Sequence, residues 1–163
     1  MPIELYRIDD RLIHGQVVVG WGQPLDLRFI VLVDEEVAAS DWEQELYRMG
    51  VPPEMEIHFE TVAGAAERLA HFQASPQVGL LLTGDIPTMA RLVELTGRIP
   101  TVNLGGIHHK PGRVQRLRYV FLSPAEESAL RALTARGVAV TAQDVPAARP
   151  LSLDEVLAGE GNR

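Results

Sequence analysis

The chain has 163 residues, with 22 acidic and 15 basic side chains, a formal net charge of −7 and no cysteine. Its length suits one domain, and 46% hydrophobic with 23% charged residues is the balance of a globular protein rather than a disordered one. The missing cysteines exclude disulfide frameworks, thiolate metal sites and cysteine nucleophiles or phosphocarriers, and the acidic balance argues against nucleic acid, whose phosphates call for clustered Lys and Arg.

Short apolar, β-branched runs alternate with longer amphipathic stretches along the chain, the pattern of βαβ units in an open, mainly parallel sheet of about seven strands with helices on both faces. Strands are predicted over Ile3–Ile8, Arg28–Val33, Met55–Phe59, Val78–Thr83, Thr101–Leu104, Arg118–Leu122 and Val138–Gln143. Helices are predicted over Gln16–Trp21, Ser40–Met49, Val62–Phe72, Ile86–Leu95 and Ala125–Arg136. The runs Phe29–Val33 and Val78–Leu82 are apolar without alternation, as expected of central strands covered on both faces. Ser40 with Glu43 and Ser123 with Glu126 have capping-box spacing, while Gly50 and Gly137 are placed to end their helices. After Pro146 only Ser152–Leu157 has helical character, so one domain is expected over residues 1–157, with 158–163 as a mobile tail. No apolar run reaches the roughly 20 residues of a membrane span and no signal-peptide pattern opens the chain, so a cytoplasmic protein is expected.

In such a sheet, functional groups gather in the loops leaving the carboxyl ends of strands. The first of these reads Arg7-Ile8-Asp9-Asp10-Arg11-Leu12-Ile13-His14-Gly15-Gln16. The imidazole of His14 can be nucleophile, base or ligand. Arg11 can clamp anionic oxygens through its planar fork, Asp9 or Asp10 can fix an imidazole tautomer or hold the arginine, and Gly15 permits close approach at a helix start. These groups suit phosphoryl transfer to a histidine, against the plainer alternative of a salt-bridged turn.

The loop Gly105-Gly106-Ile107-His108-His109-Lys110-Pro111-Gly112-Arg113 offers backbone amides and a local cationic site from His108, His109, Lys110 and Arg113, against the alternative of a solvated loop. Arg11, His14 and these cations are expected to converge at one sheet edge. Asp34-Glu35-Glu36 fits either an acidic site for Mg²⁺ or ribose, or the first turn of a helix. His58 and His71 are read as structural or surface residues, and Trp21 and Trp42 as core or partner-facing ones. No Walker loop, His-Glu-x-x-His or G-x-S-x-G motif is present.

The run Tyr6–Val18, with R-I-D-D-R-L-I-H-G-Q at its centre, closely resembles the active-site segment of IIB components from the mannose/fructose/sorbose family of the bacterial sugar phosphotransferase system (PTS). Val31–Ala38, Pro52-Pro53, Thr101–Gly106, Gly137-Val138 and Asp144–Pro146 extend the likeness to about Leu157. The resemblance implies a seven-stranded α/β domain in which His14 becomes a phosphohistidine on Nδ1, Arg11 holds the phosphoryl group and Asp10 is an acid of the same loop. It further implies a phospho-IIA donor, IIC and IID membrane components, a sugar acceptor, no metal or organic cofactor, and peripheral association with the permease. The chain is expected to begin at its IIB domain. His108-His109 and the basic stretch Arg116–Leu122 depart from the family pattern, which leaves open the sugar, the partners and a regulatory role without transport. Homo-oligomerisation is also open.

Overall fold

The computed structural model describes residues 2–158. The tail 159–163 lies outside the described residues. Five strands run parallel at the heart of the fold: β1 (Ile3–Ile8), β2 (Phe29–Val33), β3 (Glu56–Glu60), β4 (Gly79–Thr83) and β5 (Thr101–Leu104), with one register shift of β1 against β4 between Ile3 and Leu5. With β8 (Ala139–Ala142) parallel to β5, and β9 (Leu151–Ser152) antiparallel to β8, they form a seven-stranded sheet in the order β3-β2-β4-β1-β5-β8-β9. Strands β2 and β4 are buried at every position, because both faces of the sheet are covered.

Helices α4 (Val62–Gln73), α5 (Ile86–Thr96), α6 (Pro124–Ala135) and α7 (Leu153–Leu157) share one core with Ile8, Val31, Leu81, Val102 and Val140. The other face packs Ile30, Leu32, Leu80 and Leu82 against Val17 and Val18 of a wide π-type turn over Gln16–Trp21 and against Val37 of α2 (Glu35–Ala38). The π-type turn runs on into α1 (Gly22–Leu25). On the same side, α3 (Asp41–Met49) lays Tyr47 against that core and turns Trp42, 67% exposed, to solvent, whereas Trp21 is buried.

Several expectations change in detail. Arg118–Leu122 is no strand of the main sheet: β6 (Val114–Leu117) and β7 (Val120–Leu122) form a separate antiparallel hairpin around the turn Arg118-Tyr119. The seventh strand is β9, whose two residues are too few to carry a periodic signal. Ser123 and Glu126 make the expected reciprocal capping box, but at α3 only the Ser40 half forms. Asp34 caps α2 by accepting from the Val37 amide at 2.9 Å, and Glu35 accepts from the Val62 amide at 2.6 Å, so this acidic run is a helix start.

The topology places the functional loops. β1 and β5 are neighbours, yet the chain leaves β1 toward β2 on one side and leaves β5 toward β8 on the other. A crevice is expected where adjacent connections diverge in this way, and the loops 9–16 and 105–113 leave the sheet there.

Candidate functional site

Side-chain alternation along β1 sets the site. Tyr6 and Ile8 enter the core on the side of α4 to α6, so Arg7 points to the opposite face, where its guanidinium carbon lies 4.9 Å from the Trp21 ring centre. Asp9 continues the strand, its amide donating to the Thr83 carbonyl at 2.9 Å, and so falls on the same side as Arg7. The chain then turns through Asp10 and Arg11, closed by the Leu12 amide donating to the Asp9 carbonyl at 3.0 Å. Leu12 has φ of +60°, a left-handed conformation that costs a leucine about 1 kcal/mol or more and is tolerated here because its side chain packs in the second core.

Asp9 is the hub. Its carboxylate is fully buried and accepts from Arg11 Nε at 2.9 Å, Arg11 Nη2 at 2.8 Å and the Arg11 amide at 3.1 Å, with Arg7 Nη2 at 3.5 Å. His14 Nε2 lies 3.6 Å from Asp9 Oδ2 and has no hydrogen-bond partner among the described residues, while Nδ1 accepts from the Gln16 amide at 3.3 Å. An Nδ1 that accepts carries no proton, so the geometry assigns the neutral ring's proton to Nε2, facing Asp9. Burial alone would raise the Asp9 pKa. The contacts with His14 and Arg11 and the amides of Gly106 and Arg11 outweigh it, holding the carboxyl well below the usual carboxylate range.

Behind Asp9, the buried Arg7 donates to the Asn103 side chain and, at 2.9 and 3.1 Å, to the carbonyls of Gln143 and Asp144. Burial lowers the Arg7 pKa and Asp9 opposes that shift. Toward solvent, Arg11 Nη2 also donates to Gln16 Oε1 at 2.7 Å, and Gln16 Nε2 donates to Asp144 at 3.3 Å. The Arg11 side chain is 37% exposed and His14 20%, so both present a face to an incoming molecule.

The predicted site residues separate into groups. Asp9, Arg11 and His14 meet, as one of the open readings held. Asp10 faces elsewhere, accepting from the His108 amide at 2.7 Å and contacting His108 Nδ1 at 2.6 Å. The Gly105 amide donates to the Ile8 carbonyl at 2.7 Å and the Gly106 amide bonds the Asp9 carboxylate, so the amides expected to face a ligand are taken up within the chain. A Cβ at Gly105 would sit 2.5 Å from Arg7 Nη2 and 2.6 Å from Asp9 Oδ2, and one at Gly106 3.3 Å from Arg11 Nε, so both glycines make room for the charged cluster. Gly15 is exposed, and a Cβ there would meet nothing within 4 Å, so open space lies beside His14.

The expected convergence of cations is partial. His108, 65% exposed, sits beside the first loop, but His109 packs edge-on to Phe121 at 5.7 Å and Lys110 is exposed. Arg113 forks onto Glu126 at 3.0 and 2.8 Å and donates to the His108 carbonyl at 2.7 Å. Arg7, Gln16, Asn103 and Asp144 are participants that the sequence pattern did not single out. Arg7 carried a legible signal, since an arginine two residues before Asp9 in an apolar strand shares its face.

Comparison with known proteins places the chain in a family. The family described as PTS system sorbose subfamily IIB component matches residues 3–163. The chain is 35% identical over 148 residues to the N-acetylgalactosamine-specific phosphotransferase enzyme IIB component 1 of Escherichia coli, covering 88% of this chain and 91% of that one. It is 32% identical over 145 residues to the PTS system mannose-specific EIIAB component of Escherichia coli, covering 89% of this chain but spanning only 45% of that relative's length. Among solved structures, the IIBSor domain of the sorbose permease from Klebsiella pneumoniae superposes with a TM-score of 0.86 at 28% identity, covering 97% and 98% of the two chains. Family match and fold agree: the chain belongs to the sorbose-subfamily IIB components of the sugar phosphotransferase system.

Proposed function

We propose that this chain carries a phosphoryl group on Nδ1 of His14, accepting it from the phosphohistidine of a IIA component and passing it to a sugar brought in by IIC and IID membrane components. On this reading it works at the cytoplasmic face of the membrane beside that permease. Among the described residues no helix is long and apolar enough to cross a membrane.

The observation that carries the reading is the double use of buried Asp9, which holds the Arg11 fork and faces His14 Nε2 at once. With the proton kept on Nε2, the lone pair of Nδ1 attacks phosphorus. The Nδ1–P bond forms, the donor's N–P bond breaks, and its electron pair returns to the donor imidazole. Positive charge developing on the His14 ring is held by Asp9, and the Gln16 amide that now points at the lone pair then points at a phosphoryl oxygen. Arg11 Nη1 makes no hydrogen bond among the described residues, which leaves it for a second oxygen. In the second transfer a sugar hydroxyl oxygen bonds to phosphorus, the Nδ1–P pair returns to His14, and the hydroxyl proton leaves to solvent. The protonated Nε2 that helped acceptance makes the imidazole a neutral leaving group.

Labelling with radioactive phosphoenolpyruvate and the upstream phosphotransferase proteins tests this. The wild-type chain should take up one phosphoryl group, stable to base and labile to acid, and His14→Ala should take up none. Full labelling of His14→Ala would overturn the assignment.

A further inference from the structure

Three arginines crowd the β6–β7 hairpin and its approach, and the transfer chemistry above uses none of them. Two are committed within the fold. Arg113 forks onto Glu126, and Arg116 Nε donates to Glu127 at 2.6 Å, both at the first turn of α6 and with side chains no more than 25% exposed. Arg118 differs. It lies in the two-residue turn between the strands, its side chain is 76% exposed, and its nearest acid among the described residues, Asp144, is 3.6 Å away, too far for a hydrogen bond. An exposed pair of this kind contributes little to stability, so folding alone does not account for it.

Its position is informative. Asp144 follows β8 at the carboxyl edge of the sheet, where His14 sits. One carboxylate oxygen of Asp144 faces Arg118, the other accepts from Gln16 Nε2 at 3.3 Å, and Gln16 Oε1 accepts from Arg11 Nη2 at 2.7 Å. The hairpin turn is therefore joined to Arg11 through two side chains. Neighbouring Tyr119 adds no charge, since a phenol is neutral at pH 7.

A chain with net charge −7 repels an anionic partner at long range, so docking one beside His14 calls for exposed cations near that loop. We propose that the β6–β7 turn, through Arg118, is a docking contact for the acidic protein surface that carries the phosphoryl donor. An incoming carboxylate takes Arg118 from its long contact with Asp144 while the phosphoryl group meets Arg11. The proposal rests on His14 being the acceptor, and it assigns partner recognition to a hairpin that lies outside the main sheet.

The test measures initial rates of transfer from a purified phospho-IIA protein of this family to the full chain over a range of donor concentrations. Arg118→Ala is expected to raise KM for the donor about fivefold at low salt and to leave kcat within about twofold, with the difference shrinking in about 0.5 M salt. Arg118→Lys should recover most of the loss. Phosphoramidate, a small donor with no docking surface, should load His14 of wild type and Arg118→Ala at equal rates. Unchanged KM in Arg118→Ala, or parallel slowing with phosphoramidate, overturns the proposal and leaves the acceptor reading standing. Failure of wild-type His14 to label from either donor overturns the acceptor reading and the docking contact together.

Discussion

Asp9→Asn keeps the shape of the hub side chain and removes the charge on which Arg7, Arg11 and His14 converge. The carboxylate is fully buried and accepts three N–H groups of Arg11 at 2.8 to 3.1 Å, with Arg7 Nη2 at 3.5 Å. A carboxamide turns one acceptor into a donor aimed at other donors and leaves buried Arg7 without its adjacent counter-charge. Breaking a buried ion pair by removing one partner costs about 3–5 kcal/mol. With a urea m-value of about 2 kcal/mol/M, the unfolding midpoint should fall by about 2 M at pH 7. The sign of the pH dependence follows from the lowered pKa of Asp9. A carboxyl whose folded pKa lies below its unfolded value of about 3.9 contributes its full stabilisation above about pH 5 and loses it as pH falls through that value toward the folded one. The gap between wild type and Asp9→Asn should therefore narrow below about pH 4. Urea midpoints of both chains measured from neutral to acid pH provide the assay, and other carboxylates cancel in the difference. A midpoint loss under about 0.5 M, or curves that stay parallel through the acid range, would refute the hub role.

Other consequences are equally direct. Gly105→Ala should lower stability by about 2–3 kcal/mol and reduce labelling of His14, because its Cβ would lie 2.5 Å from Arg7 Nη2 and 2.6 Å from Asp9 Oδ2; a midpoint equal to wild type would disprove that clash. Gly15→Ala should leave the urea midpoint unchanged, since Gly15 has φ of −54° and open space around it, and a large loss would contradict that geometry. Arg11→Lys keeps the charge but not the fork. Phosphoryl transfer to His14 should slow on the order of 10²-fold while circular dichroism stays the same, and an undiminished rate removes Arg11 from the reaction. Burial raises all three tyrosines, Tyr119 to about 12, so absorbance titration should show no phenolate with the ordinary midpoint near pH 10, and one such group would contradict the packing.

The core strands and the long helices were legible because their signals are local. Phe29–Val33 and Gly79–Thr83 are apolar at nearly every position, and Ser123 with Glu126 caps α6 through contacts three residues apart. The same locality explains the misreadings. Arg118–Leu122 has a strand's composition, yet only its partner Val114–Leu117, and its placement outside the main sheet, decide what it pairs with. β9 is a strand solely because β8 is there to bond it.

The amino-acid sequence by itself determined the α/β class, the run of strands and helices, the candidacy of His14 and Arg11, and the family likeness. The shared face of Arg7 and Asp9 was also legible in principle, from their two-residue spacing at the end of an apolar strand, but was not singled out. Tertiary structure alone decided which carboxylate serves which partner: Asp9 turns inward to Arg11 and His14, and Asp10 outward to His108, although the two are neighbours in the chain. It also decided that Arg113 is held by Glu126 while Arg118 stays exposed beside Asp144. Capping and alternation act over a few residues, so composition records them, whereas a charge's partner is chosen by segments that meet only when β1, β5 and β8 lie side by side.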